Sequence, residues 1–414
     1  MDFDDSAEDA VFRAELRAWL QANATARVQD PLESMRVYDL PRDESAAIAD
    51  QQRWQRKLYA DGWGAITWPA EYGGRQASPT QSLIFREELS RYEIPNLSVF
   101  LIGHGMIGPT IIAHGTSEQR DRYIRPLAEG REIWCQLWSE PNAGSDLASV
   151  QTRALRDHAT DGWRLQGQKV WTTFAHAARW GLCLTRTNTD LPKHRGLSVF
   201  IVDMTAPGVT VRPLRQLNGG SEFNEVFLDD VPLPAGSLVG DLDDGWNVAI
   251  TTLMNERYAG GLMGDLTGLV RPLVALAQQA PASYGSFESA AVRQELARLF
   301  VSAKLITLTG YRSQSQAARS GRPGPEGSIL KLAFADLNAK VGSAAMRILG
   351  LPALRQDEAA RDAGIWPSAY LTTQASRIAG GTDDIQRNIV AERILKLPRD
   401  PIAPSGASVR DSET

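Results

Sequence analysis

The chain reads as mainly α with a central β-domain: a helical N-terminal part, a β-rich middle and a helical C-terminal part. Three observations predict this. Near the N-terminus, Phe12, Leu16, Trp19 and Leu20 fall at helical spacing. From about residue 131 to 238, short β-branched and aromatic runs alternate with turn formers. Beyond about 239 the helical period returns, with Leu330, Phe334, Leu337, Val341 and Ile348 forming one long stripe.

Taken in order, Ser6 is placed to cap the first helix. Gly62-Trp63-Gly64 and Trp68-Pro69-Ala70-Glu71-Tyr72-Gly73-Gly74 then interrupt the helical pattern as a long loop with aromatic anchors, and the pattern resumes through 82–89. His104 and His114 sit in small-residue, helix-like surroundings and read as hydrogen-bonded structural residues. In the middle part, strands are expected at 169–173, 180–186, 197–202, 209–211 and 225–228, separated by turns such as Asp161-Gly162 and Asn218-Gly219-Gly220. A small barrel or sandwich suits such an insert. Small residues inside the C-terminal stripe (Ala333, Ala335, Ala339, Ala344) suit long, closely packed helices. The expected divisions are 1–130, 131–238 and 239–398, with a Ser- and Pro-rich tail over 399–414 expected to be disordered.

A chain of 414 residues with a formal charge of −5 does not suit a protein that grips nucleic acid through phosphates. Asp2, Asp4, Asp5, Glu8 and Asp9 give the start the wrong charge for a secretory or transit signal, and no apolar run reaches a membrane span. Cys135 and Cys183 lie in apolar segments without metal-ligand spacing, so both read as core cysteines of a cytoplasmic protein. No metal site, serine-hydrolase elbow or βαβ dinucleotide motif is found.

The run Trp138-Ser139-Glu140-Pro141-Asn142-Ala143-Gly144-Ser145-Asp146 is rich in turn formers, and Lys169-Val170-Trp171-Thr172-Thr173 follows shortly after. Gly144 and Ser145 offer backbone N–H groups and a hydroxyl to an anion or a flavin edge. The first run resembles the Ser-Glu-Pro-x-Ala-Gly-Ser-Asp motif of the acyl-CoA dehydrogenase family, and the second its Gly-x-Lys-x-Trp-x-Thr strand. Trp68–Gly74 is similar to that family's Trp-Pro-x-x-Tyr-Gly-Gly block. The resemblance covers nearly the whole chain. It implies an N-terminal helical domain, a middle β-domain and a C-terminal four-helix bundle around flavin adenine dinucleotide (FAD).

The activity so implied is α,β-dehydrogenation of an acyl-CoA thioester: a base takes the α-proton and the flavin takes a hydride from the β-carbon. By resemblance, Gln136, Trp138 and Ser139 lie alongside the isoalloxazine. Gly144 and Ser145 lie near the ribityl–pyrophosphate, with Trp171 and Thr173 on the next strand. Thr382 and Asp384 are further cofactor contacts, and Arg347 is the remaining candidate cation for the diphosphate. Ser145, Arg257, Gly380 and Gly381 are the expected substrate contacts.

The base departs from the family's commonest pattern. Where many members carry Glu-Gly-Thr, this chain has Gly380-Gly381-Thr382. Glu256, in Leu253-Met254-Asn255-Glu256-Arg257, matches the base position of the isovaleryl- and long-chain-type branches. Its helical neighbours at i±3 and i±4 (Leu253, Thr252, Ala259, Gly260) are uncharged. A carboxylate in such a setting has the raised proton affinity that suits a base for a carbon acid.

A second departure lies at 281–288, where the family's Arg-x-x-Phe block reaches across a subunit interface; this chain has no Arg there. Either a homodimer or homotetramer forms with looser flavin, or a related subunit supplies the arm in a heteromer. The expected electron acceptor is an electron-transfer flavoprotein. Two further readings are a flavin oxidase or monooxygenase on the same fold, and a non-catalytic subunit that completes a partner's site.

Overall fold

The structure is a computed structural model. It describes residues 4–27, 32, 35, 38, 43–261, 265–280, 286–320, 324–355 and 361–398; within α6, side chains are described only as far as Glu256. The tail beyond 398 and residues 281–285 lie outside the described residues.

The N-terminal part opens with α1 (Ala7–Asn23), α2 (Glu44–Ala60) and α3 (Pro79–Leu89). The caps follow from sequence: Ser6 Oγ accepts from Asp9 N at 3.1 Å, and Ser78 with Gln81 forms a reciprocal capping box. A short ribbon of β1 (Thr25–Ala26) and β2 (Tyr92–Glu93) ties the end of α1 to the chain after α3. A π-helical turn (Gly103–Ile107) then runs into α4 (Gly108–His114) and α5 (Ser117–Ala128).

The middle part supplies β3 (Trp134–Leu137), β4 (Arg153–Asp157), β5 (Gly162–Thr173), β6 (Trp180–Arg186), β7 (Leu197–Asp203), β8 (Val209–Pro213), β9 (Phe223–Leu233) and β10 (Leu238–Val239). All join one sheet in the order β10-β7-β6-β4-β5-β9-β8, with β3 pairing parallel to β6. The strands expected from sequence all appear; β3, β4 and β10 were not anticipated. β5 is the long central strand, and its register slips between Lys169 and Thr172. A bulge of this kind re-aims the side chain that it carries.

The C-terminal part is α6 (Gly245–Gly261), α7 (Arg271–Gln279), α8 (Ala290–Ser320), α9 (Gly327–Leu349), α10 (Ile365–Thr373) and α11 (Asp383–Ile389). The stripe predicted on α9 is its buried face: Leu330, Leu337, Val341 and Ile348 join the core that α7, α8 and α10 share. This is the helical bundle that the resemblance implied.

A second core is where the three parts meet. Ile107, Ile111 and Leu127 of the N-terminal helices pack with Leu182, Leu184, Leu197 and Val199 of the sheet and with Val248 and Ala249 of α6. Two polar contacts fix the lie of α6 within it. Thr252 Oγ1 is 2.9 Å from Thr110 Oγ1, and His114 Nε2 is 2.8 Å from Thr251 Oγ1. His104 bonds Leu127 O through Nε2 at 2.7 Å and stacks on Phe100. Both histidines are thus hydrogen-bonded structural residues. Cys135 and Cys183 are free and fully buried. No described helix is long and apolar enough to cross a membrane.

Candidate active site

The residues predicted for the site fall mainly into two groups. The first is the loop after β3 together with the end of β5. Its neck is held by Lys169, whose side chain is fully buried. Lys169 Nζ donates to Trp138 O at 3.0 Å, Glu140 Oε1 at 2.8 Å and Leu184 O at 2.7 Å. Glu140 in turn accepts from Gln151 N at 2.7 Å and Thr152 N at 2.9 Å. Burial works to raise the proton affinity of the Glu140 carboxyl. The Lys169 ammonium and these hydrogen bonds outweigh burial and hold the carboxyl below its usual range. Val170 N adds a bond to Ser139 O at 2.9 Å.

Beyond the neck the tip stands clear. Gly144 and Ser145 are exposed, and a Cβ added to Gly144 would meet nothing within 4 Å. Asp146 closes the far side through Lys193 Nζ at 2.8 Å. At the bulge of β5, Trp171 takes φ +60° and leaves 60% of its surface exposed, edge-on to Phe223. A bulky non-glycine residue in the left-handed region is strained, and such strain gathers at functional positions. The Trp138 indole N–H and the Thr172 hydroxyl are buried and find no partner among the described residues. Gln136 and Thr173 are half-buried on β3 and at the end of β5.

The second group lies on the helical bundle. Glu256 sits near the end of α6, half-buried. Gly380 and Gly381, at φ +64° and +84°, form the turn that enters α11. A Cβ on Gly380 would stand 3.3 Å from Glu256 Oε1. The base candidate and the empty family position therefore confront each other directly. Gln386 Nε2 donates to Gly380 O at 2.7 Å and so holds the turn. Thr382 caps α11, its hydroxyl accepting from Ile385 N at 3.2 Å.

Other predicted residues lie less centrally. Asp384 is largely exposed and pairs with Arg387 at 2.8 Å. The Arg347 guanidinium is turned to Glu295 on α8. The Arg257 side chain lies outside the described residues. A link from the first group to the bundle runs through the loop after β8. Asn224 Nδ2 donates to Thr172 O at 3.0 Å, Phe174 N to Glu222 O at 2.7 Å, and Asn218 Nδ2 reaches Thr372 Oγ1 on α10 at 3.0 Å.

The Lys169–Glu140 pair and Gln386 were not read from the sequence. A signal for the first was present. Alternation along β5 from Trp163 and Leu165 puts Lys169 on the buried side, where an ammonium needs an anion.

Comparison with known proteins decides the family. The acyl-CoA dehydrogenase N-terminal, middle and C-terminal domains match residues 6–131, 135–231 and 243–395. The acyl-CoA dehydrogenase IpdE1 of Mycobacterium tuberculosis is 37% identical over 94% of this chain and 98% of its own length. This chain belongs to the acyl-CoA dehydrogenase family. It is thereby an FAD-dependent oxidoreductase of the class that acts on acyl-CoA. The acyl-CoA dehydrogenase FadE34 of the same organism is 42% identical over 86% of this chain, which spans only 47% of FadE34. Among solved structures, the Tcur3481-Tcur3483 steroid ACAD superposes with a TM-score of 0.79 at 26% identity, covering 97% of this chain and 100% of that one. The ChsE4-ChsE5 complex of M. tuberculosis gives 0.76 at 27% identity, covering 96% and 100%.

The first group of residues fits the family's FAD. It offers an open cradle at Gly144, two buried donors without partners at Trp138 and Thr172, and an exposed indole held at a bulge.

Proposed function

We propose that this chain dehydrogenates an acyl-CoA thioester at its α,β-bond, with Glu256 as the base. The supporting observation is the approach of Glu256 Oε1 to Gly380, which places a carboxylate from α6 where other family members present one from the α11 side. Gln136, Trp138, Ser139, Gly144, Ser145, Trp171 and Thr173 would hold FAD, with Thr382 and Asp384 at its edge. The chemistry that FAD supplies when bound is acceptance of the β-hydride. Glu256 accepts the α-proton on its half-buried carboxylate. Gly380 and Gly381 leave the opposite wall free of side chains, so the acyl group that fits is branched or bulky. One structural neighbour, the Tcur3481-Tcur3483 steroid ACAD, points the same way. Arg257 and Ser145 are assigned to substrate. Mixing purified holoprotein anaerobically with branched, aromatic and steroid-type acyl-CoA thioesters tests this: flavin bleaching with none of them would refute it.

A second observation favours a heteromeric assembly. Residues 281–288 carry no arginine for the diphosphate, and Arg347 is engaged by Glu295. Two of the structural neighbours carry paired subunit names. Flavin content per chain, measured on the protein expressed alone, distinguishes the assemblies. Full loading favours a homo-oligomer, and half loading or less favours a partner that supplies the cation. An electron-transfer flavoprotein in the cytoplasm is the proposed electron acceptor.

A further inference from the structure

We propose that the buried Lys169–Glu140 ion pair is a positioning device for the cofactor, tying off the neck of the 138–152 loop so that its tip stands open before any ligand arrives. The proposal rests on reading that loop and Trp171 as the FAD cradle.

One ammonium gathers both ends of the loop. Lys169 Nζ holds Trp138 O directly at the entry, and through Glu140 it holds the amides of Gln151 and Thr152 at the exit. Its third bond, to Leu184 O, anchors the knot to β6. The Trp138 carbonyl takes an ammonium, while the indole N–H of the same residue finds no partner among the described residues. Two residues beyond Lys169, the strand bulges and presents Trp171. The knot thus fixes the entry and exit of the loop and the root of the strained indole together. Gly144 and Ser145, at the tip, are left with room around them.

Stability does not explain such a pair. Desolvating two charges offsets most of their attraction, and apolar replacements of buried pairs are often neutral or stabilising. Geometry is what it supplies: a loop of this length, freed at its neck, would have to be ordered on binding, and that ordering would be subtracted from affinity.

The test compares Lys169→Met, the double variant Lys169→Met/Glu140→Gln and wild type as purified full-length chains stripped of flavin. The Gln in the double variant keeps an acceptor oxygen for one of the two amides, Gln151 N or Thr152 N, without stranding a buried charge. Apoprotein melting and the Kd for FAD, read by quenching of flavin fluorescence, are both measured. The expected result is an apoprotein Tm for the double variant within about 3 °C of wild type. Its Kd should rise about tenfold or more, with loss of the vibronic structure of the bound flavin spectrum. An unchanged Kd overturns the proposal. So does a double variant that no longer melts cooperatively, because the pair would then be an ordinary core element. Failure of wild type to bind any FAD at the highest concentration tested would remove the cradle reading beneath the proposal, a result seen without any variant; partial loading would not, and the variants are then compared at the loading that wild type reaches.

Discussion

Glu256 Oε1 lies 3.3 Å from the point that a Cβ on Gly380 would occupy, so one residue's carboxylate is set against the other's missing side chain. A Glu at both positions would crowd two like charges into one slot, which is costly. Among the described residues, the one carboxylate within 4 Å of that point is Glu256, and it comes from α6.

Glu256→Gln keeps the size and hydrogen-bonding reach of the side chain and removes the base. The expected outcome is a flavin content equal to wild type with the rate of flavin reduction by substrate lowered at least about 10²- to 10⁴-fold. Stopped-flow bleaching measures it, and near-normal turnover would reassign the base.

Gly380→Ala places a Cβ at φ +64° and presses it on the carboxylate. We expect a loss of about 1–2 kcal/mol in unfolding free energy from the left-handed conformation alone. The rate of substrate-dependent reduction should fall together with stability, because Glu256 must give way. Denaturant titration alongside turnover reads both.

Trp171→Gly releases the strain of a left-handed tryptophan and removes a ring that is 60% exposed. The apoprotein should become more stable, by about 1 kcal/mol, while FAD binds more weakly. A less stable apoprotein would show that the indole earns its place by packing on Phe223 instead.

His104 gives a pH signature. Its enclosure pushes the imidazole from the ordinary 6.5 down to about 4, against the opposing pull of the Leu127 carbonyl. Between those values the unfolded chain binds the proton and the folded chain does not, so stability rises with pH across that window. Its contribution is complete above about 6.5 and is lost as pH falls through about 4. His104→Gln retains a donor for Leu127 O and should flatten the pH 6.5–4.5 part of the stability curve. The steeper loss at lower pH, where Glu140 and other depressed carboxyls protonate, should remain.

Much of this was legible in the sequence, for physical reasons. Periodicity exposed α1 and α9 because each buries a single stripe, and β6 and β7 because their runs are buried on nearly every residue. β4 was not legible: Arg153-Ala154-Leu155-Arg156-Asp157 is charged and half exposed, and only pairing with β5 makes it a strand. β3 is four residues long, too short to declare a period. In the site, Glu256 and Gly380 could each be singled out from motif positions. That they face each other is a fact of tertiary packing, set by the threonine contacts on α6 and by the Gln386 bond to Gly380. Alternation along β5 marks Lys169 as buried, but its partner Glu140 lies in a loop that no period reveals.

The Gly380–Gly381 turn also sets the order in which the proposed site is assembled. Residue 256 is translated well before residue 380, and the turn that meets Glu256 is held in place by Gln386 of α11. On the proposed assignment, protein cut ahead of Gly380 should therefore be inert toward thioesters even where α6 has folded.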